Sequence, residues 1–450
     1  MRDLMMASIL GSNIYSDIFF VAFKLPNLFR RIFGEGAFAQ SFLPSFVASK
    51  HKSIFSVTIL IELLSTVLAL SLVVVFFSRE IALLMAPGFD ADAIDKTAIY
   101  LAIQFWYLPL IFVVTFLASL LQYKEHFATT AFSTALLNIS LITALFLYRG
   151  ESGEDILTAL SYAVVAGGIM QVIAHLIMAR RLGTIRMLSK GFCALSTHYR
   201  KTKEESTLFF KNFFPAIWGN STAQIMAFLD TWLASFLVTG SISYLYYANR
   251  IFQLPLALFA IALSTAIFPS IAKAIGRGDE DGAVRQMKRG FWILAFLLGM
   301  AAIGGAILSR EIIWLLFERG AFGRSDTIQS ASVLRMYMIG LLPFGLSKLF
   351  SLWLYSNHRQ SKAARIATWS LAGYALTALS LFSQMGASGL ALANTVAGFT
   401  SFTLLAYSFG RENLMKIFDR KRVISYIVAM TLYTIALYMA QSLISEYTGV

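Results

Sequence analysis

Between Ser16 and Lys50 the chain reads SDIFFVAFKLPNLFRRIFGEGAFAQSFLPSFVASK, an apolar stretch long enough to cross a bilayer. It nevertheless carries Asp17, Lys24, Arg30, Arg31 and Glu35, with Pro26 and Pro44 inside it. One charge at the centre of a membrane helix costs about 2.5–3.5 kcal/mol on insertion scales. Several in one span cancel its insertion energy unless they face water or protein. The stretch therefore reads as the wall of a polar path through a membrane; the alternative is that Arg30 to Glu35 sit in a cytoplasmic loop. The chemistry these residues offer is recognition. Arginine keeps its proton and grips phosphate bidentately. Arg2 and Arg250 stand in other apolar segments, as does Lys348, so arginines from different helices suit a phosphate-bearing anion. The competing account is that they pair with Asp3, Asp17 and Glu35 as interhelical clasps. At about 100° per residue, Asp17, Lys24 and Arg31 align within roughly 40°, whereas Arg30 points elsewhere. Pro26 interrupts that count.

A second kind of chemistry attaches to Asp230. It lies in the middle of QIMAFLDTWLASFL with no basic residue within a turn. Such a carboxylate can carry a proton or bind sodium, or else make a hydrogen-bonded helix contact. Glu62 lies near a helix start and is expected to snorkel to the interface. Other chemistries find no support. There is no Gly-x-x-x-x-Gly-Lys-Ser/Thr loop, and Gly34-Glu35-Gly36 is too short for a phosphate loop. The five histidines are scattered, and the single Cys193 excludes an internal disulfide. No catalytic set and no bound cofactor are expected, only sodium, protons or the membrane potential as coupling agents.

The elements that must position these residues are membrane helices. Of 450 residues 58% are hydrophobic and only 14% charged, against about 25% charged in soluble domains; mean hydropathy is +0.69. The net charge of +13 sits in short runs between apolar spans, not on a nucleic-acid-binding face. After the half-span Leu4 to Leu10 and the charged second helix, further spans are expected near 54–78, 97–121, 128–148, 156–179, 208–238, 243–271, 291–308, 331–356, 364–383, 387–409 and 423–444. One set of alternate loops holds 23 Lys and Arg and the other a handful. That asymmetry places the N-terminus in the cytoplasm and the tail outside, in the periplasm.

The chain also repeats itself. Arg79-Glu80-Ile81 recurs as Arg310-Glu311-Ile312, Tyr123 to His126 resembles Tyr355 to His358, Ala166-Gly167 recurs as Ala397-Gly398, and Phe42 to Ser45 resembles Ile267 to Ser270. These matches lie in order at nearly one offset, which indicates a duplicated six-helix unit. The expected fold is an all-α polytopic membrane protein, with two parallel-related six-helix lobes around a central cavity and one additional C-terminal helix. The expected divisions are an N-terminal lobe over 1–182 with an incomplete first helix, a cytoplasmic linker over 183–207, a C-terminal lobe over 208–410, and an extra C-terminal transmembrane helix in 411–450.

Arg2-Asp3, Gly11-Ser12 and the run from Ser16 to Phe38 closely resemble the signature of the MurJ (MviN) lipid II flippases. So do Ala86 to Phe89, Leu136 to Ile139, and Tyr246-Tyr247-Ala248-Asn249-Arg250 followed by Leu254-Pro255. The resemblance covers nearly the whole chain. It implies the fold of the multidrug/oligosaccharidyl-lipid/polysaccharide exporter superfamily. It also implies translocation of undecaprenyl-pyrophosphate-linked peptidoglycan precursor from the inner to the outer leaflet of the bacterial cytoplasmic membrane. By that resemblance Arg2, Arg30 and Arg250 engage the pyrophosphate, and Asp3, Asp17 and Glu35 are neighbouring acidic positions. Where helical counting favours Arg31, the motif favours Arg30. There are three departures. The family's first helix begins upstream of Arg2 with another arginine. Asn249 stands where the family's YADR-like motif has a carboxylate. One span follows the core where the family often has two. Asp230 matches one sodium-ligand position of some relatives, but 364–383 lacks the matching carboxylate.

The expected function is thus a lipid II flippase working by alternating access, with lipid II and membrane lipids as partners and cell-wall synthesis proteins as further candidates. The alternatives are a cation-coupled multidrug exporter or another lipid-linked oligosaccharide exporter of the same fold, or a non-transporting scaffold. An excess of arginine over acid in the cavity favours the first.

Overall fold

A computed structural model describes residues 1–34, 37–219 and 222–448. The described residues are helical almost throughout; one isolated bridge, Arg319 to Phe322, is the only β pairing among them. The chain forms two compact units, Met1–Trp232 and Leu233–Val450.

The first unit contains α1 (Arg2–Leu10), α2 (Ile14–Gly34), α3 (Ala37–Ala48), α4 (Lys52–Phe76), α5 (Ser78–Met85), α6 (Ala91–Phe105), α7 (Tyr107–Tyr123), α8 (Ala128–Leu147), α9 (Gly153–Arg181), α10 (Thr184–Gly219) and most of α11 (Thr222–Ala234). The second contains α12 (Ser241–Pro255), a π-helical turn (Leu256–Ile261), α13 (Ala262–Gly276), α14 (Glu280–Ile307), α15 (Ser309–Phe317), α16 (Arg324–Ile339), α17 (Leu341–Ser356), α18 (Gln360–Met385), α19 (Ala387–Phe409), α20 (Arg411–Ile417) and α21 (Arg420–Thr448).

The duplication read from the sequence is visible helix by helix. In the first unit α2 packs on α6, α5 on α6, α4 on α7, α7 on α9 and α8 on α9. In the second α12 packs on α16, α15 on α16, α14 on α17, α17 on α19 and α18 on α19. The same break also occurs twice. Trp106 separates α6 from α7 three residues before Pro109, and Gly340 separates α16 from α17 three residues before Pro343. Proline lacks an N–H and crowds the preceding turn, which interrupts the ladder there. The repeated Ala-Gly pair has a packing reason. A Cβ at Gly167 would lie 2.8 Å from the Leu137 side chain of α8, and one at Gly398 would lie 2.7 Å from the Phe344 side chain of α17.

Among the described residues ten helical stretches are long and apolar enough to cross a membrane. Two of these, Ala91–Tyr123 and Arg324–Ser356, are each built of two helical pieces, and Ser241–Gly276 joins α12 to α13 through the π-helical turn. In the charged second span α2 runs to Gly34 and α3 starts at Ala37. Arg30 and Arg31 therefore sit in helix, not in a loop.

Of residues 183–207, expected as a linker, all but Gly183 are helical and belong to α10. The compact division falls after Trp232, later than the expected boundary at 207/208. The reason is aromatic packing. Phe38 stacks on Phe42 at 5.1 Å and Phe42 on Phe46 at 5.6 Å along α3, one turn apart. Phe209 and Phe213 of α10 close on Phe38 at 6.0 and 6.1 Å, and Phe112 and Phe116 of α7 flank the same ring. All seven of these rings are buried. Fully burying such a side chain contributes about 1.5–3 kcal/mol in water. Within a bilayer the gain is tight contact rather than escape from water.

The extra C-terminal helix docks on α14. Trp292 Nε1 donates to the Ile417 carbonyl at 3.1 Å, the Tyr426 hydroxyl to the Ala295 carbonyl at 3.1 Å, and Gln441 Nε2 to Glu311 at 2.9 Å. Lys416 of α20 meets Asp281 at 2.6 Å, and this hydrogen-bonded carboxylate raises the Lys416 pKa.

Candidate functional site

The helix α2 starts where Asn13 caps it. The Asn13 side-chain oxygen accepts from the Tyr15 and Ser16 N–H groups at 2.9 and 3.2 Å, satisfying donors that a helix start leaves open. The helix then packs on α6 and α7. Phe23 meets Tyr107 at 6.4 Å, and Phe29 meets Phe105 at 5.9 Å. This packing sets the rotation of the charged residues. Asp17 is buried, at 2% exposure, while Lys24, Arg30 and Arg31 are half-buried. Arg30 Nε donates to Asn27 Oδ1 at 3.0 Å, one turn back.

Arg30 is also close enough to Tyr107 to act on its hydroxyl electrostatically. That hydroxyl donates to Gln171 Oε1 at 3.2 Å, and Gln171 Nε2 donates to the Ser133 carbonyl at 2.8 Å. His175 Nδ1 donates to the Gln171 carbonyl at 2.8 Å. A buried polar thread thus runs from α7 through α9 to α8.

Arg2 and Asp3 form an ion pair on α1, with both Nε and Nη2 on one Asp3 oxygen at 3.0 and 2.6 Å. This pair joins sequence neighbours on one helix, and so is not the interhelical clasp of the alternative reading. Asp230 is half-buried on α11 in the first unit. Glu35 lies outside the described residues. Glu62 accepts a 2.5 Å hydrogen bond from the Ser206 hydroxyl of α10; a tertiary partner, beyond the snorkelling expected of it, holds this carboxylate.

In the second unit Arg250 lies on α12 with Tyr246 one turn before it. Arg250 Nη2 donates to Tyr246 Oη at 2.7 Å, and the guanidinium carbon stands 4.6 Å from the ring centroid. Lys348 is exposed on α17. Asn249 accepts a hydrogen bond from Gln253 Nε2, where the family pattern has a carboxylate. Among the described residues no group of three or more His, Cys, Asp or Glu could hold a metal ion. The arrangement offers fixed guanidinium groups, suited to binding an oxyanion.

Asn27 and Tyr246 were not singled out from sequence, although their spacing of three and four residues from an arginine was there to read. Tyr107, Gln171 and Ser206 had no such signal, because their partners lie on other helices.

The family model for the lipid II flippase MurJ matches residues 6–449. The chain belongs to the lipid II flippase MurJ family. A probable lipid II flippase MurJ of Helicobacter pylori is 47% identical over 436 residues, covering 95% of this chain and 94% of that one. One of Haemophilus influenzae is 31% identical over 452 residues, covering 95% and 85%. A solved structure of lipid II flippase MurJ in an inward closed conformation matches with a TM-score of 0.79 at 23% identity, over 99% of this chain and 95% of that one. An inward-facing multidrug resistance MATE family transporter of the MOP superfamily matches with a TM-score of 0.74 at 14% identity, over 92% and 94%. The last two likenesses establish the fold. The MurJ resemblance read from the Ser16–Phe38 signature is thus met, and so is the all-α, multi-pass membrane fold. The MurJ family is a family of transporters, not enzymes.

Proposed function

We propose that this chain is a flippase that moves lipid II, the undecaprenyl-pyrophosphate-linked peptidoglycan precursor, from the inner to the outer leaflet of the bacterial cytoplasmic membrane. The observation that carries this reading is the lipid II flippase family match across residues 6–449. The half-buried arginines of α2 and α12 supply a matching chemistry. The cycle is alternating access. Arg2, Arg30 and Arg250 engage the pyrophosphate, Arg31 and Lys348 add positive potential, and Asp3, Asp17 and Glu35 orient the cations. The N-terminus is cytoplasmic and the tail periplasmic, as the distribution of Lys and Arg requires. Cell-wall synthesis proteins that take up the delivered precursor are its further partners.

An inside-negative potential favours outward movement of a net anion, by about 2.3 kcal/mol per charge per 100 mV if the charge crosses the whole field. Asp230 is the candidate site for a coupling proton or sodium ion. The test is reconstitution into vesicles with labelled lipid II, following its appearance in the opposite leaflet. Arg30→Ala and Arg250→Ala are expected to abolish movement. Unaltered kinetics in both variants would remove the mechanism. Transport independent of sodium and pH in Asp230→Asn and wild type alike would remove the coupling role.

A further inference from the structure

We propose that Tyr246 is a positioning residue for Arg250, fixing the plane of its guanidinium before substrate arrives. This rests on the reading of Arg250 as a substrate-binding arginine.

Two contacts from one side chain carry it. The Tyr246 hydroxyl accepts from Arg250 Nη2 at 2.7 Å, and the Tyr246 ring lies under the guanidinium carbon at 4.6 Å. A hydrogen bond alone leaves a guanidinium free to swing about it. A ring face alone leaves it free to slide. Together they define both a plane and a direction. The four-residue spacing on α12 makes the pair local, so helix formation brings it together.

Tyr246 is itself anchored. Its ring meets Tyr247 edge-on at 5.7 Å, and the fully buried Tyr247 packs on Phe317 at 5.1 Å and Phe322 at 5.7 Å. Two positions before Tyr246, the Tyr244 hydroxyl donates to Asp326 at 3.1 Å, tying α12 to α16. The base of the tyrosine is therefore rigid, and its rigidity passes to the arginine.

A guanidinium carries five N–H donors in one plane. Tyr246 takes one of them and covers one face. A phosphate oxygen pair is recognised edge-on, in that plane, so a guanidinium held over a ring and tied to its hydroxyl loses less freedom on binding. The role of Tyr246 is thus to sharpen affinity for the diphosphate, and it acts only through Arg250.

The test measures lipid II affinity on the purified full chain for wild type, Tyr246→Phe, Tyr246→Leu, Arg250→Ala and the Tyr246→Leu/Arg250→Ala double variant. Tyr246→Phe keeps the ring and removes the hydroxyl; it is expected to raise Kd about three- to ten-fold, the scale of one hydrogen bond. Tyr246→Leu is expected to raise it further. The double variant should bind as Arg250→Ala alone, because a residue acting through Arg250 has nothing left to act on. A second readout needs no substrate: the rate at which phenylglyoxal modifies Arg250, followed by peptide mass spectrometry, should change at least three-fold in Tyr246→Leu. Wild-type affinity in both Tyr246 variants, or equal weakening with and without Arg250, overturns the proposal. If the wild type fails to bind lipid II, the substrate reading falls. The modification rate then decides the positioning role alone, and an unchanged rate overturns it.

Discussion

Asn27 lies one turn before Arg30 on α2 and accepts a 3.0 Å hydrogen bond from the Arg30 Nε–H. The amide directs the guanidinium from within the same helix, so the pair forms wherever α2 forms. Hydrogen bonds to charged groups contribute about 1.5–3 kcal/mol, and the contacts proposed between Arg30 and a phosphate would be of this kind. Arg30→Ala should therefore weaken lipid II binding roughly 10- to 100-fold. Asn27→Leu, which removes only the guide, should weaken it roughly five-fold. Titration of purified variants with lipid II checks both, and equal effects would contradict the guiding role.

The 2.5 Å hydrogen bond from Ser206 to Glu62 joins α10 to α4 inside the first unit. Its partner on the same interface is Ser49, which donates to Glu205 at 2.6 Å. Ser206→Ala should lower unfolding stability by about 1–2 kcal/mol, and a double-mutant cycle with Glu62→Gln should show coupling of the same sign. Thermal unfolding in detergent measures it. Transport by the folded fraction should be unchanged.

Gly191 allows α10 to touch α4. A Cβ there would stand 2.2 Å from the Ser53 backbone carbonyl oxygen, an atom that cannot rotate away. Gly191→Ala should therefore force the helices apart and cost about 1–3 kcal/mol. Gly183, at φ +73° with nothing within 4 Å of a Cβ, would be strained for a different reason, its backbone conformation. A lower melting temperature and faster proteolysis within α10 are the expected results for Gly191→Ala.

Two contacts of the C-terminal helices predict opposite outcomes. Gln441 joins α21 to the buried Glu311 at 2.9 Å and to the Ile307 carbonyl at 3.1 Å. Gln441→Leu should speed hydrogen exchange along α21. The Lys416–Asp281 pair is exposed on both sides, and Lys416→Ala should leave the melting temperature almost unchanged at moderate salt. Asp281 raises the pKa of Lys416. Its small stabilisation is thus fully present below about pH 10.4, the ordinary lysine value, and fades as pH rises above that through the folded value. A melting temperature that fell between pH 6 and 9 through this pair would contradict the sign.

Much of the fold was legible because lipid imposes strict rules. Every backbone group in a span must find a partner within its own helix, so apolar length alone announces α4, α8, α14 and α21. The repeat was legible because Arg79-Glu80-Ile81 and Arg310-Glu311-Ile312 open equivalent short helices, α5 and α15. Residues 183–207 read as a cytoplasmic linker because of their charge, which does not reveal the helix α10 that begins at Thr184. Phe209 and Phe213 packed against α3, and Ser206 bonded to Glu62 of α4, make α10 part of the first unit.

The order of types along the chain by itself determined that this is a multi-span helical protein with arginines inside apolar helices and a duplicated plan. Tertiary structure alone decided what the charged groups touch: Ser206 on Glu62, Gln441 on Glu311. The physical reason is range. Hydropathy and helical spacing act between residues a few positions apart, whereas these partners lie on different helices, and only the packing of bulky aromatic side chains sets which faces meet.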